Sequence, residues 1–323
     1  MSSSDPGRAS ALAEAVGERW PRITIVTPSY NQGQYLEETI RSVILQGYPN
    51  LEYIVMDGGS TDESVDVIRQ YDASIAHWVS EKDRGQAHAI NKGFALATGQ
   101  ILGYLNSDDL LTEGTLQRVA DAFRDALEQP LLVNFSGTVF GDHMEDVVCA
   151  PPIEPRLDDW LSSLDSLFQP STFWTSVLHR RLGGFKENMQ FCFDKEFFLR
   201  AIFKVGRFEA RPEWVASRFR MHAQAKTSTI SEVMWAENRA LWTAYGKNDA
   251  WSQARLDDAL RSEQSAMKAR KAIALALHAP HTFESARLLV AAAITSPREA
   301  GTRPYLGAWR RVLMRAFDRT RAK

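Results

Sequence analysis

Four short polar clusters hold the side chains of this sequence best suited to chemistry: Pro28-Ser29-Tyr30-Asn31, Asp57-Gly58-Gly59-Ser60, Asp83-Arg84 and Asn106-Ser107-Asp108-Asp109. The last is the most informative. Adjacent carboxylates repel one another unless a cation or a capping role offsets the repulsion. Magnesium or manganese takes oxygen ligands, commonly one or two carboxylates together with the phosphates of a substrate, so an ion at Asp108-Asp109 would arrive with a diphosphate. Each cluster also has a plainer use. Asp109 can begin the loop before a helix at Thr112, and a strand-end aspartate such as Asp57 is commonly a turn former or helix cap.

The spacing of apolar residues supplies the frame for these clusters. Ile23 to Thr27 is a β-branched run of strand length, and it delivers Pro28 to Asn31 to a loop. Leu36, Ile40, Val43 and Ile44 have helical spacing over Tyr35 to Gln46, and Leu51 to Met56 reads as the next strand. The pattern continues with a helix at Thr61 to Tyr71, a strand at Ile75 to Ser80, a helix at Gln86 to Ala97 and a strand at Ile101 to Leu105. Strands recurring at roughly 30-residue β-α-β intervals imply a parallel sheet with helices on its faces, and ligands on such sheets bind at the carboxyl ends of the strands. The polar clusters occupy those ends.

After Asp109 the alternation becomes irregular. A helix is expected near Thr112 to Ala126, strands at Leu131 to Phe140 and Glu145 to Cys149, an aromatic segment at Phe168 to Trp174, a helix at Phe193 to Phe203 and a strand at Trp214 to Arg220. Ala- and Leu-containing stretches from Ser231 onward read as helices. The expected organisation is a flexible leader over 1–20, an α/β domain over 21–228 with halves 21–110 and 111–228, and a helical region over 229–323.

Composition excludes several classes. With 38 Lys+Arg against 40 Asp+Glu, the net charge of -2 gives no basic field for nucleic acid. Cys149 and Cys192 lie far apart, so neither a zinc cluster nor a disulfide framework is implied and a reducing cytosol fits. Apolar runs such as Leu288 to Thr295 fall short of the roughly 20 residues needed to span a bilayer. The G-x-G-x-x-G and G-x-x-x-x-G-K-[ST] phosphate loops are absent.

T-P-S-Y-N at Thr27 to Asn31, D-G-G-S-T-D at Asp57 to Asp62, E-K-D-R-G-Q-A-H-A-I-N-K-G at Glu81 to Gly93 and L-N-S-D-D at Leu105 to Asp109 resemble, in order and spacing, family 2 glycosyltransferases. The resemblance is strong over about Ile23 to Leu110, extends to Lys226, and leaves out the C-terminal region. It implies a GT-A fold, a Rossmann-like nucleotide-binding architecture. It also implies a donor site in which Tyr30 lies against the base, Asp57 accepts a hydrogen bond from it, and Pro28, Asp83, Arg84 and Asn106 surround the nucleotide. Asp109 would be the metal ligand and Asp108 would contact the ribose or sugar. Many members carry two acidic residues where this chain has Asp57-Gly58.

Phe193-Asp194-Lys195-Glu196-Phe197 resembles the family's acidic catalytic segment, with Asp194 at the position of the base and Phe193 in place of a first acid. Arg218-Phe219-Arg220-Met221-His222 with Lys226 resembles its late R-x-H segment, which makes His222 a metal or diphosphate ligand and Lys226 a phosphate partner. Gln169 to Trp174 couples an amide to aromatic rings, a composition suited to a sugar ring. It puts Gln169 and Trp174, with Glu196, on the acceptor or donor sugar, although core burial is the commoner use of such rings.

The resemblance therefore implies an inverting transfer, assisted by manganese or magnesium, from a nucleoside diphosphate sugar to a saccharide or lipid-linked glycan. A UDP-sugar is the first choice of donor, and bacterial envelope synthesis is the expected setting. Cytoplasmic residence is expected, or a peripheral position on the inner membrane face. Arg303 to Lys323 holds seven basic residues against Asp318, a local charge of +6, and its helical spacing suits either an anionic membrane surface or docking on the protein itself. The rival readings are a sugar nucleotidyltransferase and a non-catalytic nucleotide-sugar binding protein.

Overall fold

In the computed structural model, the residues described are 20–141, 145–161, 167–222, 232–246, several between 254 and 276, 282–297 and 299–321. Residues 1–19 of the expected leader and Lys226 lie outside them, whereas Trp20 is described and packs against the core. The chain divides into two units, Met1–Leu157 with Asp165–Glu237, and Asp158–Leu164 with Asn238–Lys323.

The first unit opens with β1 (Ile23–Ser29), α1 (Gly33–Ile44), β2 (Leu51–Asp57), α2 (Ser64–Gln70), β3 (His77–Ser80), α3 (Gln86–Leu96) and β4 (Ile101–Tyr104). Helix α1 buries Leu36, Thr39, Ile40 and Val43 along one face, and its chain turns away where Gly47 takes φ +63° before Pro49. Strands β1 to β4 pair in parallel in the order β3-β2-β1-β4. The β1–β2 register runs from Ile23 opposite Leu51 to Ser29 opposite Asp57, so two polar clusters leave the sheet at the same level. Helix α3 lies close on this sheet through Gly93, where a Cβ would fall 2.5 Å from Val26 Cγ1.

Beyond β4 come β5 (Leu110–Leu111), α4 (Thr115–Phe123), β6 (Leu131–Phe140), β7 (Val147–Cys149) and α5 (Leu157–Leu161), which after Leu157 belongs to the second unit. They are followed by β8 (Thr172–Thr175), α6 (Ser176–Leu182), α7 (Phe193–Arg200) and β9 (Arg207–Arg220). Pairing here is mixed: β8 is antiparallel to β4 and β6, whereas β9 is parallel to β6 and antiparallel to β5. Strand β9 begins seven residues before the expected Trp214, because its charged first half carries Pro212 at a register shift, a pattern without strand periodicity. The aromatic segment contains the four-residue strand β8, too short for alternation to reveal. Thr175 then caps α6 by accepting the Leu178 N–H.

One continuous core joins Ile23, Ile25, Leu36, Ile40, Tyr53, Phe123, Leu131 and Phe173. An aromatic cluster of Phe94, Trp174, His179, Phe185 and Phe197 packs nearby, with ring centroids 4.5–6.4 Å apart. Burial there, followed by the charges of Arg200 and Arg180, lowers the His179 pKa from 6.5 to about 4. The folded protein thus holds His179 neutral while the unfolded chain binds a proton below 6.5. Stability from this source is full above pH 6.5 and lost as pH falls towards 4, on the order of 2–3 kcal/mol after allowance for its partial exposure. Urea titrations from about pH 7 to about pH 4 should show the loss in wild type and a smaller one in His179→Phe; parallel profiles would reject it.

In the second unit, α8 (Glu232–Tyr245) runs on from the first unit, and α9 (Thr282–Thr295) and α10 (Arg303–Arg321) follow. Its core gathers Ile273, Leu289, Ala292, Tyr305, Ala308 and Val312. Among the described residues no helix is long and apolar enough to cross a membrane.

Candidate active site

At the carboxyl ends of β1, β2 and β4 the first unit opens a cavity of about 740 Å³. Its floor is built by loops that hold each other. The Gly58 N–H donates to the Ser29 carbonyl (2.8 Å), Asn31 donates its N–H to Ser60 Oγ (2.8 Å), and Asn31 Oδ1 accepts the Thr61 N–H (2.8 Å). Asn31 and Gly59 both take positive φ, 52° and 83°, the conformation that Asn and Gly adopt at least cost.

One side of the cavity is a slot between Tyr30, which is exposed, and Asp83. Asp83 Oδ1 accepts the Gly85 N–H at 2.7 Å. A Cβ on Gly58 would sit 2.7 Å from Asp83 Oδ2 and 3.3 Å from Tyr30 Cδ2, so glycine keeps the slot open. Pro28 and Lys82 complete this side.

In the middle, Asn106 and Asp108 line the cavity. Asn106 is oriented by Gln86, whose Nε2 donates to its Oδ1 (2.7 Å), and donates in turn to Gln169 Oε1 (3.1 Å). Gln169 Nε2 donates to the Tyr104 carbonyl (2.9 Å), so Gln169 is fixed in the wall. Asp108 Oδ2 lies 3.0 Å from His222 Nε2. An oxygen and a nitrogen donor brought together beside the cavity fit a divalent ion that fills its remaining positions with water or phosphate oxygens. Among the described residues no group of three or more His, Cys, Asp or Glu side chains is placed to hold a metal.

Asp194, in the first turn of α7, also lines the cavity, its Oδ1 accepting the Lys195 N–H at 2.6 Å. Phe191, Phe193, Phe219 and Met234 add apolar groups to the same lining. The buried Tyr104 hydroxyl is held well above its ordinary pKa by burial and then by the negative charges of Asp194 and Asp109.

Five further expected residues do not line the cavity. Asp57 is buried with both oxygens spent: Oδ2 accepts the Gly59 and Ser60 N–H groups and the Ser80 hydroxyl, and Oδ1 accepts the Ser60 hydroxyl. It organises its own loop, and Asp83 is the carboxylate that faces the slot. Asp109 is 0% exposed; Oδ1 accepts the Arg220 N–H (3.0 Å) and Oδ2 an Asn106 amide hydrogen (3.2 Å). Burial, with the Asp108 charge beside it, pushes its pKa well above the usual carboxylate range against those hydrogen bonds. Asp108, one residue earlier, faces the cavity.

Arg84 points outward and pairs with Glu187 at 2.5 Å, leaving Lys82 as the cation of the cavity wall among the described residues. Trp174 is 0% exposed within the aromatic cluster and is a core residue. Glu196 is also 0% exposed and pairs with Arg200 and Lys186 at 2.8 Å each, so it ties α7 down.

Arg220 belongs to the R-x-H segment noted in the sequence but had no role assigned there, and the structure brings it to the site. Its N–H holds Asp109, its Nε donates to the Asp108 carbonyl (3.0 Å), its guanidinium pairs with Glu38 and it lies over the Tyr35 ring. The available signal was its place two residues before His222 on a strand that must end at the site.

Residues 24–212 match the family model described as glycosyl transferase family 2. The chain belongs to that family. Similar proteins include an uncharacterized glycosyltransferase of Mycobacterium tuberculosis, 30% identical over 186 residues, 56% of this chain and 69% of that one. Another is the putative teichuronic acid biosynthesis glycosyltransferase TuaG of Bacillus subtilis, 33% identical over 36% of this chain and 46% of its own. An uncharacterized glycosyltransferase of Nostoc is matched, at 35% identity, over 32% of this chain and 33% of its own length. This chain therefore spans between a third and about two thirds of these curated relatives.

Two solved structures share the fold. TarS of Staphylococcus aureus, in complex with UDP-GlcNAc, has a TM-score of 0.55 at 16% identity, covering 85% of this chain and 89% of that one. The mannosyltransferase PcManGT of Pyrobaculum calidifontis, in complex with GDP-Man and Mn2+, has a TM-score of 0.55 at 21% identity, covering 93% and 90%. The architecture of this family 2 chain is accordingly the GT-A type.

Proposed function

We infer that this chain is an inverting glycosyltransferase that moves a sugar from a nucleoside diphosphate sugar, a UDP-sugar first, to a hydroxyl of a saccharide or lipid-linked glycan in bacterial envelope synthesis. The carrying observation is a single cavity that puts the Tyr30–Asp83 slot, Asp108 and Asp194 on its walls. A flat base fits the slot, with its ring against Tyr30 and its N–H donating to Asp83 Oδ2. Lys82 opposes the charge of the diphosphate. Asp108 and His222 would hold the divalent cation, which, when bound, offsets charge on the departing diphosphate. Arg220 and Asp109 hold that pair in place.

Asp194 receives the proton of the acceptor hydroxyl as its oxygen bonds to the anomeric carbon, and the nucleoside diphosphate leaves with the bonding pair. One displacement from the opposite face inverts the configuration. The phenyl groups of Phe191 and Phe193 and the side chain of Met234 offer an acceptor sugar an apolar face and exclude water. Incubation with a panel of nucleotide sugars and glycan acceptors, read by NMR of the product, tests this reading. The expected product carries inverted configuration at the transferred anomeric carbon; retention would reject the single displacement.

Support for a membrane-associated acceptor comes from α10. Tyr305, Ala308 and Val312 bury into the second unit's own core, but Leu306, Leu313 and Met314 stand exposed beside Arg310 and Arg311. An apolar and basic surface of this kind suits an anionic bilayer. Sedimentation with phosphatidylglycerol vesicles should fall in the double variant Leu313→Glu/Met314→Glu, and equal sedimentation would reject the contact.

A further inference from the structure

Immediately before α7, three successive backbone amides point at one side chain. The N–H groups of Gln190, Phe191 and Cys192 donate to the carboxylate of Glu237 on α8, at 2.6, 2.9 and 2.8 Å. Consecutive N–H groups turned to one side form a concave anion-binding nest, and hydrogen bonds to an ionised acceptor are about twice as strong as neutral ones. Cys192 Sγ also approaches the Met234 carbonyl, at 3.7 Å, one turn earlier on α8.

The location of the clamp gives it significance. Cys192 is the residue from which α7 starts, and Asp194 is in that helix's first turn. Phe191, Phe193 and Met234 line the cavity beside Asp194. The clamped segment therefore carries both the carboxylate that meets the acceptor hydroxyl and the apolar wall on which the acceptor rests. The nucleotide side of the cavity is supplied by other loops, those of Pro28, Tyr30, Lys82 and Asp83.

We propose that Glu237 is a positioning residue for sugar transfer: by gripping the amides of 190–192 it fixes Asp194 and the apolar acceptor wall as one body, and so sets acceptor geometry without contributing to donor binding. The proposal rests on the transferase reading above. Misplacement of a reacting group by about 1 Å costs on the order of 10²-fold in rate. Removal of the grip should therefore lower kcat and raise the acceptor KM, and leave the donor KM unchanged.

The test uses the full chain with Glu237→Ala and Glu237→Gln, and three measurements: donor and acceptor kinetics, hydrogen exchange at 190–192, and melting temperature. The expected result is a fall in kcat of about tenfold to a hundredfold with unchanged donor KM. Faster exchange at the three amides should accompany it. In Glu237→Ala the emptied nest can take up a small carboxylate, so added acetate should restore rate and protection together, whereas chloride at equal ionic strength should not. Wild-type kcat in both variants, a parallel loss of donor binding, or a loss that follows melting temperature and ignores acetate would each overturn the proposal. A wild-type chain that transfers no sugar would instead overturn the transferase reading, and the exchange and acetate measurements would still decide whether the clamp exists.

Discussion

Replacing Asp194 with Asn should lower sugar transfer by about 10² to 10⁴-fold and leave nucleotide affinity nearly unchanged. An acceptor hydroxyl is a poor nucleophile at neutral pH, and an amide of the same shape cannot take its proton. The side chain lines the cavity on the apolar side and its Oδ1 already accepts the Lys195 N–H, which an Asn oxygen can also do. The substitution should therefore preserve the helix start and remove only the base. Initial rates at saturating donor, with nucleotide affinity measured separately, give the result. Full turnover in Asp194→Asn would mean that the proton goes elsewhere.

The second large effect separates two neighbouring carboxylates. Asp108→Asn should cost at least on the order of 10²-fold in transfer and abolish the response to manganese, because a bound ion supplies several kcal/mol of charge stabilisation and each 1.36 kcal/mol is tenfold. Asp109→Asn should act differently. Its target is fully buried and holds the Arg220 N–H and the Asn106 amide, so an amide in its place meets a donor where an acceptor is needed, at about 1–3 kcal/mol of stability. Manganese titrations of activity, beside urea denaturation of both variants, distinguish the two. A manganese response kept in Asp108→Asn and lost in a stably folded Asp109→Asn would reverse the assignment.

The contrast between these residues illustrates what a sequence carries and what it does not. Strands β1 to β4 and the helices between them were legible because apolar spacing and Gly, Pro and Asn punctuation are local, and the polar clusters then had to emerge at one sheet edge. Which carboxylate of Asp108-Asp109 faces the cavity is decided by Arg220 and His222, more than a hundred residues away on β9 and just after it. Local pattern cannot carry that choice. Asp57 followed the ordinary habit of a strand-end aspartate and bonded its own loop, which left Asp83 to face the slot. Glu196 was readable in principle, since Arg200 stands four residues on along the same helix. Glu237 had no local signal; its meaning comes from three amides contributed by a distant loop.

Calorimetric titration of UDP into the full chain, with manganese and with EDTA, shows whether one cavity binds a nucleoside diphosphate together with a divalent ion. Manganese should tighten binding by at least about tenfold, equivalent to about 1.4 kcal/mol, and this increment should be lost in Asp108→Asn. UDP affinity identical with and without the metal, or no binding of any nucleoside diphosphate, would contradict such joint binding.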